Sequence, residues 1–490
     1  MLDILSVTSE CVPLIKTGGL ADVAGALPKA LGTLGHRMRT LLPAYPGLVA
    51  KLTDTRVVWS DPDLFGGPAQ VIFGTVASEA SGGEGTGATE ILLLQAPHLF
   101  DRAGGPYLDL DGVDFADNPE RFAALSWVGA QIAMHGTSDG WRPRLVHCHD
   151  WQAALVPSYL KFAGHGHIPT ILTIHNMAFQ GLAPADRTEA LRLPWHEFHA
   201  DSFEYFGQIS ALKAGLKHAW KLTTVSPTYA GELMRPEFGM GMDGIIRDRS
   251  TDMVGILNGI DLDLWNPQTC DTPYGLRTLK KKANARRALA ARFGIHAHDA
   301  PLAIVVSRLS HQKGLDLLAE CLPEFIEQGG AVAVLGTGDK ALEQAFRDLG
   351  NRYPGRVGVE IDYDEELSHL MFAGGDAVLI PSRFEPCGLT QLYGLRFGTL
   401  PLVAATGGLA DTVIDANPAA LAMGVATGFT FHPTEPIALS FALERLLMLF
   451  AQPDLWTQMQ RNAMKQPVGW DTSAAAYIAL YESLTSEAAP

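Results

Sequence analysis

Thr17-Gly18-Gly19-Leu20-Ala21-Asp22 returns letter for letter as Thr406-Gly407-Gly408-Leu409-Ala410-Asp411. Each copy follows an apolar, strand-like stretch and opens a helical one. Adjacent glycines let the backbone turn sharply and present N–H groups at a helix start, where phosphate oxygens or sugar hydroxyls bind. One copy in each half of the chain predicts two α/β domains facing a single anionic ligand across a cleft.

Outward from these turns the pattern repeats. Strand-like stretches precede helical ones at 2–8 then 23–34, 144–149 then 151–163, 169–175, and 221–226 then 227–235. A second series runs 302–307 then 314–328, 331–336 then 340–351, 356–361 then 365–373, 376–381 then 389–397, and 400–404 then 409–416. Such alternation predicts parallel sheets wound by right-handed crossovers. The expected fold class is α/β, with two Rossmann-like doubly wound domains over 1–258 and 259–460 and a helical tail, 461–490, packing back on the first. The boundary is set at Asn258-Gly259-Ile260-Asp261, before Trp265-Asn266-Pro267. A hairpin pairing 70–77 with 89–95 is expected to carry the Gly-rich tip Ser81–Gly87 as a flexible surface loop. Ligands of doubly wound sheets sit beyond the C-terminal strand ends.

Composition narrows the class. A chain of 490 residues, 47% hydrophobic and 18% charged, is ordinary globular material. A formal charge of −16 opposes non-specific nucleic-acid binding, so an anionic ligand needs locally concentrated cations. The N-terminus has no basic start and no apolar core of signal-peptide length, and no stretch reaches a spanning length. Five scattered cysteines without a C-x-x-C pair suit a reducing compartment. A soluble cytoplasmic protein, without nucleic-acid or membrane partners, is expected.

The residues able to carry chemistry cluster at strand ends. Glu10, Lys16, Gly18 and Gly19 follow 2–8, where Lys16 would meet a phosphate while the glycine amides approach the ligand. Ser307-Arg308, then Lys313-Gly314, follow 302–307; the two cations fit a diphosphate leaving group. Glu385 lies in Pro381-Ser382-Arg383-Phe384-Glu385-Pro386-Cys387-Gly388-Leu389-Thr390, at the positive end of a coming helix, where a carboxylate can bind sugar hydroxyls or stabilise positive charge. His147-Cys148-His149-Asp150 ends one strand and His175-Asn176 the next. His147, His149 and His175 offer a conceivable zinc site that lacks a fourth ligand; a sugar-binding role for His175 and Asp150 is the main reading. Three Asp-x-Asp triplets (Asp109/Asp111, Asp261/Asp263, Asp362/Asp364) compete as metal pairs or serve as turn residues. Gly336-Thr337-Gly338, with Glu360 and Asp362 further on, is a dinucleotide-like turn on the second strand of its domain and seeds a dehydrogenase alternative.

Taken in order, Lys16–Asp22, His149–Gln152, Thr173–Gly181, Asn258–Asp261, Ser307–Gly314, Arg383–Tyr393 and Thr406–Asp411 resemble the glycogen and starch synthase family, most closely its bacterial branch. The matches span nearly the whole chain. The resemblance implies a GT-B arrangement, and transfer of α-glucosyl from a sugar nucleotide to the 4-OH at the non-reducing end of an α-1,4-glucan. Retention of configuration, no essential metal and no pyridoxal phosphate are implied with it, and ADP-glucose is favoured over UDP-glucose. It makes Arg308 and Lys313 the diphosphate ligands, with Lys16 reaching the phosphates, and Glu385 the carboxylate that positions the donor glucose. It gives His175, Asn258 and Cys387-Gly388-Leu389 contacts to the donor sugar, with Ser307 and Thr390 beside the nucleotide and Tyr363 stacked on the base. Glu10 and Asp150 resemble acceptor-side or sugar-orienting residues.

Two departures stand out. Tyr393 occupies the place of the second glutamate found in related retaining transferases, as it does in the synthases, and Asp362 replaces the glycine expected before Tyr363. No second carboxylate stands out as a nucleophile, which favours a front-face mechanism over a covalent glucosyl intermediate. The rival readings are a UDP-glucose-using synthase, a glucan phosphorylase, a transferase with a small acceptor, and a glucan-binding protein.

Overall fold

The computed structural model describes residues 1–76, 88–296 and 299–487. These fall into two units, one holding Met1–Val225, Ala230–Ile256 and the chain from Ser473 on, the other Ser226–Tyr229 and Leu257–Thr472.

Among its described residues the first unit is built on a main sheet of nine strands. In chain order these are β1 (Asp3–Val7), β2 (Arg37–Pro43), β3 (Thr53–Asp61), β4 (Ala69–Val76), β5 (Thr89–Gln95), β6 (Leu145–His149) and β7 (Thr170–Ile174). Three short strands, β8 (Leu182–Pro184), β9 (Glu204–Tyr205) and β10 (Gln208–Ser210), make a separate antiparallel sheet before β11 (Lys221–Thr224) and β12 (Met253–Gly255) complete the main one. The order is β12-β11-β7-β6-β1-β2-β5-β4-β3, and only the β5–β4 and β4–β3 pairs are antiparallel. Central strands such as β6 and β7 are buried at every residue, as parallel strands covered on both faces must be.

The periodicity does not reveal β2, because Arg37 and Arg39 interrupt its apolar run. Arg39 is nonetheless buried, its charge met by Glu90 at 2.6 Å and Asp139 at 3.2 Å, with Phe73 and Trp141 rings against its guanidinium. Burial of a charge is tolerated when it is paired this fully. The expected hairpin is present as β4–β5, pairing out to Val76 and Thr89. Its tip, Ser81–Gly87, lies outside the described residues.

The second unit carries β13 (Leu302–Val306), β14 (Ala331–Leu335), β15 (Val357–Glu360), β16 (Ala377–Ile380), β17 (Leu400–Ala404) and β18 (Phe429–Phe431). All pair in parallel, in the order β15-β14-β13-β16-β17-β18. This is the doubly wound order 3-2-1-4-5-6, with its reversal between β13 and β16. The helix Leu315–Glu327 buries Leu315, Leu318, Leu322, Phe325 and Ile326 at helical spacing. Each such side chain contributes about 1.5–3 kcal/mol of burial.

The tail divides later than expected. The helix Pro453–Met464 buries Trp456, Met459 and Ala463 in the second core and so stays with it. The chain returns to the first unit only from Ser473, within the helix Trp470–Glu487. There Tyr477 and Tyr481 are fully buried and the Tyr481 hydroxyl meets His147 Nδ1 at 2.8 Å. Ser226–Tyr229 groups with the second unit because Ser226 Oγ donates to the Pro386 carbonyl at 2.6 Å. In the same segment Thr228 donates to Asp411 from both its amide, at 2.8 Å, and its hydroxyl, at 2.6 Å.

Candidate active site

The order of the second sheet reverses between β13 and β16, so the loops leaving these strands, 307–314 and 381–389, flank its binding crevice. They are locked together. The Arg383 fork holds Asp316 through two bonds of 2.6 and 2.7 Å, the Arg383 amide donates to the Gln312 carbonyl at 2.9 Å, and Gln312 Nε2 donates to the Phe384 carbonyl at 3.3 Å. Gly314 sits at φ +66°, where a Cβ would collide with the Pro381 carbonyl oxygen. The lock brings Lys313 Nζ to 2.5 Å from Glu385 Oε2, and Ser382 Oγ donates to that same oxygen at 2.9 Å. Both side chains of the pair are largely buried, 20% exposed for Lys313 and 10% for Glu385. Glu385 Oε1 has no protein partner among the described residues. Arg308 is exposed and without an ion-pair partner there. A largely buried carboxylate, one oxygen anchored and the other without a protein partner, is thus paired with Lys313, and Arg308 lies on the same loop as Lys313.

The turn after Glu385 is equally built. Cys387 is buried, which pushes its thiol up to about 12, and the Asn258 backbone N–H donates to it. Asn258 Oδ1 is buried without a partner. Gln391 Nε2 ties the Cys387 and Gly388 carbonyls, at 3.0 Å each, and Leu389 caps the helix that Thr390 begins. Ser307 lends its hydroxyl to the Arg308 carbonyl at 3.2 Å. Tyr363 stands 76% exposed on the loop beyond β15, its amide donating to Asp362 Oδ1 at 2.7 Å.

The second glycine turn has a task other than the one expected. A Cβ on Gly407 would collide with the Glu385 carbonyl and one on Gly408 with the Cys387 carbonyl, and the Gly408 amide already donates to the Glu385 and Pro386 oxygens at 3.2 and 3.1 Å. These glycines let the backbone of the Glu385 loop approach. Around Gly18 and Gly19, by contrast, a Cβ would meet nothing within 4 Å. The Gly18 amide is nonetheless not offered outward as expected. It donates to Glu10 Oε2 at 3.3 Å, alongside the Thr17 amide, while Glu10 Oε1 accepts from the Thr17 hydroxyl at 2.5 Å and from Tyr107. Glu10, buried and bonded through both oxygens, therefore shapes this turn. Lys16 pairs with Asp22 at 2.8 Å on the exposed side.

In the first sheet the order reverses between β1 and β6, which places the Lys16 turn beside the end of β6. Asp150 Oδ1 accepts from the amides of His175 at 2.7 Å and Asn176 at 3.3 Å. Burial pushes the Asp150 carboxyl up to about 7 against those donors. His175 Nε2 meets His149 Nδ1 at 3.0 Å, and His149 Nε2 meets Ser6 Oγ at 3.2 Å. His147 is held by Tyr481 and, at 2.6 Å, by Thr173. Both nitrogens of His147 and of His149 thus have protein partners. Burial lowers His175 to about 3, so its ring is neutral near pH 7 and suits hydrogen bonding to a hydroxyl.

The remaining motifs resolve into structure. Asp109 Oδ1 accepts the Asp111 and Val113 amides, Asp261 those of Asp263 and Leu264, and Asp364 caps the helix Glu365–Gly374. Gly336 and Gly338 lie against the Ser307 and Leu309 carbonyls, where a Cβ would collide. Glu343 fills the place a dinucleotide phosphate would need, accepting from the Thr337 hydroxyl at 2.9 Å and the Gly338 amide at 3.1 Å.

Comparison with known proteins decides the family. The starch synthase catalytic domain model matches residues 3–248 and the glycosyl transferases group 1 model residues 290–466. A glycogen synthase of Cereibacter sphaeroides is 59% identical over 483 residues, covering 99% of this chain and 98% of the relative. One of Paracoccus denitrificans is 57% identical over 486 residues, 99% and 100% of the two chains. The chain belongs to the glycogen and starch synthase family of glycosyltransferases. Its two-domain GT-B-type fold is matched by the catalytic domain of starch synthase IV from Arabidopsis thaliana, solved bound to ADP and acarbose, with a TM-score of 0.85 at 29% identity over 99% of both chains. A sucrose-phosphate synthase from Thermosynechococcus elongatus, 19% identical with a TM-score of 0.61, shares the fold alone.

In this family member Arg383, Ser382, Asp316, Gln391 and Tyr107 join the site although no motif marks them as functional. Arg383 and Ser382 stand inside the quoted Glu385 motif and Asp316 two residues beyond Gly314, so their proximity in sequence was visible. Tyr107 joins Glu10 from 97 residues away, which only folding reveals.

Proposed function

We propose that the chain transfers the glucosyl group of ADP-glucose to the 4-OH at the non-reducing end of an α-1,4-glucan such as glycogen, with retention and without an essential metal or other cofactor. The observation that carries this reading is the Lys313–Glu385 pair at the reversal of the second sheet, with exposed Arg308 earlier on the loop that carries Lys313. Arg308 and Lys313 supply two positive charges for the diphosphate. Glu385 Oε1, without a protein partner and held in place through Oε2, receives a donor-sugar hydroxyl and faces the positive charge that develops at the anomeric carbon. The anomeric carbon–phosphate oxygen bond breaks, the bond to the acceptor 4-oxygen forms on the same face, and the acceptor proton passes to the leaving phosphate, releasing ADP and a glucan one unit longer. Asn258 Oδ1 and neutral His175 are assigned to sugar hydroxyls, Lys16 to phosphate, Asp150 to fixing the His175 backbone, and the exposed Tyr363 ring to the base. Ser307, Cys387, Gly388, Leu389 and Thr390 form the walls of the nucleotide-sugar site. The ADP bound to the Arabidopsis relative supports adenine as the base.

No helix among the described residues is long and apolar enough to cross a membrane. All five cysteines are free, in keeping with a reducing cytoplasm.

Incorporation of labelled glucose into glycogen, from ADP-glucose and separately from UDP-glucose, with and without EDTA, tests the reading. Incorporation chiefly from ADP-glucose and insensitive to EDTA is expected. Preference for UDP-glucose overturns the base assignment and points to Asp362 and Tyr363. No incorporation from either donor, with pyridoxal absorbance in the purified protein, replaces the synthase with a phosphorylase.

A further inference from the structure

The two oxygens of Glu385 are in different states. Oε2 accepts from Lys313 Nζ at 2.5 Å and from Ser382 Oγ at 2.9 Å, while Oε1 has no protein partner among the described residues. Of the two anchors only one is committed. Under the proposed function, on which this inference rests, Lys313 also answers to the donor diphosphate, and an ammonium drawn toward two phosphate charges loosens its hold on a single carboxylate. Ser382 has no such second task. It is fully buried, sits two residues past the end of β16, and its hydroxyl makes a single hydrogen bond among the described residues, to Glu385. Its backbone position is fixed by the strand on one side and, on the other, by the Arg383 fork on Asp316.

We infer that Ser382 is the positioning residue that holds Glu385 Oε2 while Lys313 is engaged by the diphosphate, so that Oε1 keeps its aim at the donor sugar. The hydroxyl is the third member of the Lys313–Glu385 cluster and acts through the carboxylate without touching substrate. A carboxylate free to rotate about its last side-chain bonds would present its lone pairs off line, and misplacement of that kind costs rate more than binding.

The test compares Ser382→Ala, Ser382→Cys and Glu385→Gln by steady-state kinetics, with ADP affinity read by calorimetry and folding by thermal melting. Ser382→Ala is expected to lower kcat about 10- to 100-fold, as loss of a hydrogen bond to a charged group does, with ADP affinity and donor KM within about threefold of wild type. Ser382→Cys, a weaker donor of nearly the same shape, should recover part of the lost kcat; if the alanine variant does not fold, Ser382→Cys is itself expected to fall several-fold below wild-type kcat with ADP affinity unchanged, and wild-type kcat there overturns the inference. Wild-type kcat in Ser382→Ala, or no recovery in Ser382→Cys, overturns the inference, as does a parallel loss of ADP affinity, which would mark a general disturbance of the loop. Glu385→Gln separates this outcome from failure of the functional reading. If that variant turns over normally the carboxylate has no role, whereas an inactive Glu385→Gln beside a normal Ser382→Ala removes Ser382 alone.

Discussion

At the scale of single residues, the site is defined by which polar groups have partners and which do not. Glu10 and Glu385 both stand buried beside a glycine-rich turn, yet all the bonding capacity of Glu10 is taken up by Thr17, Gly18 and Tyr107, whereas Glu385 keeps one oxygen open. That difference leaves Glu385 with an oxygen to offer a ligand and makes Glu10 part of its own turn. Glu385→Ala is expected to lower kcat by about 10²–10³-fold, the scale on which removal of a preorganised electrostatic group operates. ADP affinity should hold steady or improve, because a carboxylate near the diphosphate is gone and Lys313 is released. Steady-state kinetics with calorimetric ADP titration checks this, and a loss of affinity as large as the loss of kcat would contradict it.

At the scale of elements, identical hexapeptides serve opposite ends. The first copy opens the helix Gly19–Thr33 and leaves space over its glycines; the second is pressed against the Glu385–Cys387 backbone. Gly18, at φ −153°, has room for a methyl group, so Gly18→Ala should keep the wild-type melting temperature while raising the donor KM. Gly407, at φ +44° under the Glu385 carbonyl, has none. Gly407→Ala should cost about 1–3 kcal/mol of stability and most of the activity; differential scanning calorimetry beside the incorporation assay separates the pair. The Arg383–Asp316 strut offers a third case. It is partly exposed, 27% and 37%, so its removal in Arg383→Ala should alter stability by no more than about 1 kcal/mol. The loss of alignment between Lys313 and Glu385 should still lower kcat/KM by about tenfold or more. Normal kcat/KM in that variant would show that the two loops hold their register without it.

At the scale of the whole molecule, acid should act unevenly. Burial lowers His147, His175 and His218 to about 3 and His149 well below its ordinary value, and all four lie in the first unit. Unfolding lets each take up a proton once the pH falls below about 6.5, which the folded rings refuse until far lower, so their contribution to stability is full above that value and declines below it. Asp150, raised to about 7, works the other way as a single group against four. The first unit should therefore melt at least about 5 °C lower at pH 5 than at pH 7. Hydrogen exchange should show Leu145–His149 and Thr170–Ile174 losing protection before the strands of the second unit; equal loss in both units would refute this assignment.

The two sheets, their alternation with helices and the cations and carboxylate at their strand ends were legible because apolar periodicity and Gly-rich turns are local properties of a chain. The same locality hid β2, whose arginines are satisfied by Glu90 and Asp139, far away in sequence. It also hid the end of the second unit, since the helix Pro453–Met464 reads like any amphipathic helix until the core that receives Trp456 is known. Local pattern alone suffices to read this chain as a two-domain synthase-family transferase with Arg308, Lys313 and Glu385 beyond its strands. It takes the folded chain to show that one TGGLAD turn faces open space while the other braces the Glu385 loop, that Glu10 is bonded within its own turn, and that one oxygen of Glu385 has no protein partner among the described residues. A residue's type sets what it can bond, but which bonds are already taken depends on groups that only folding brings within 3 Å or so of it.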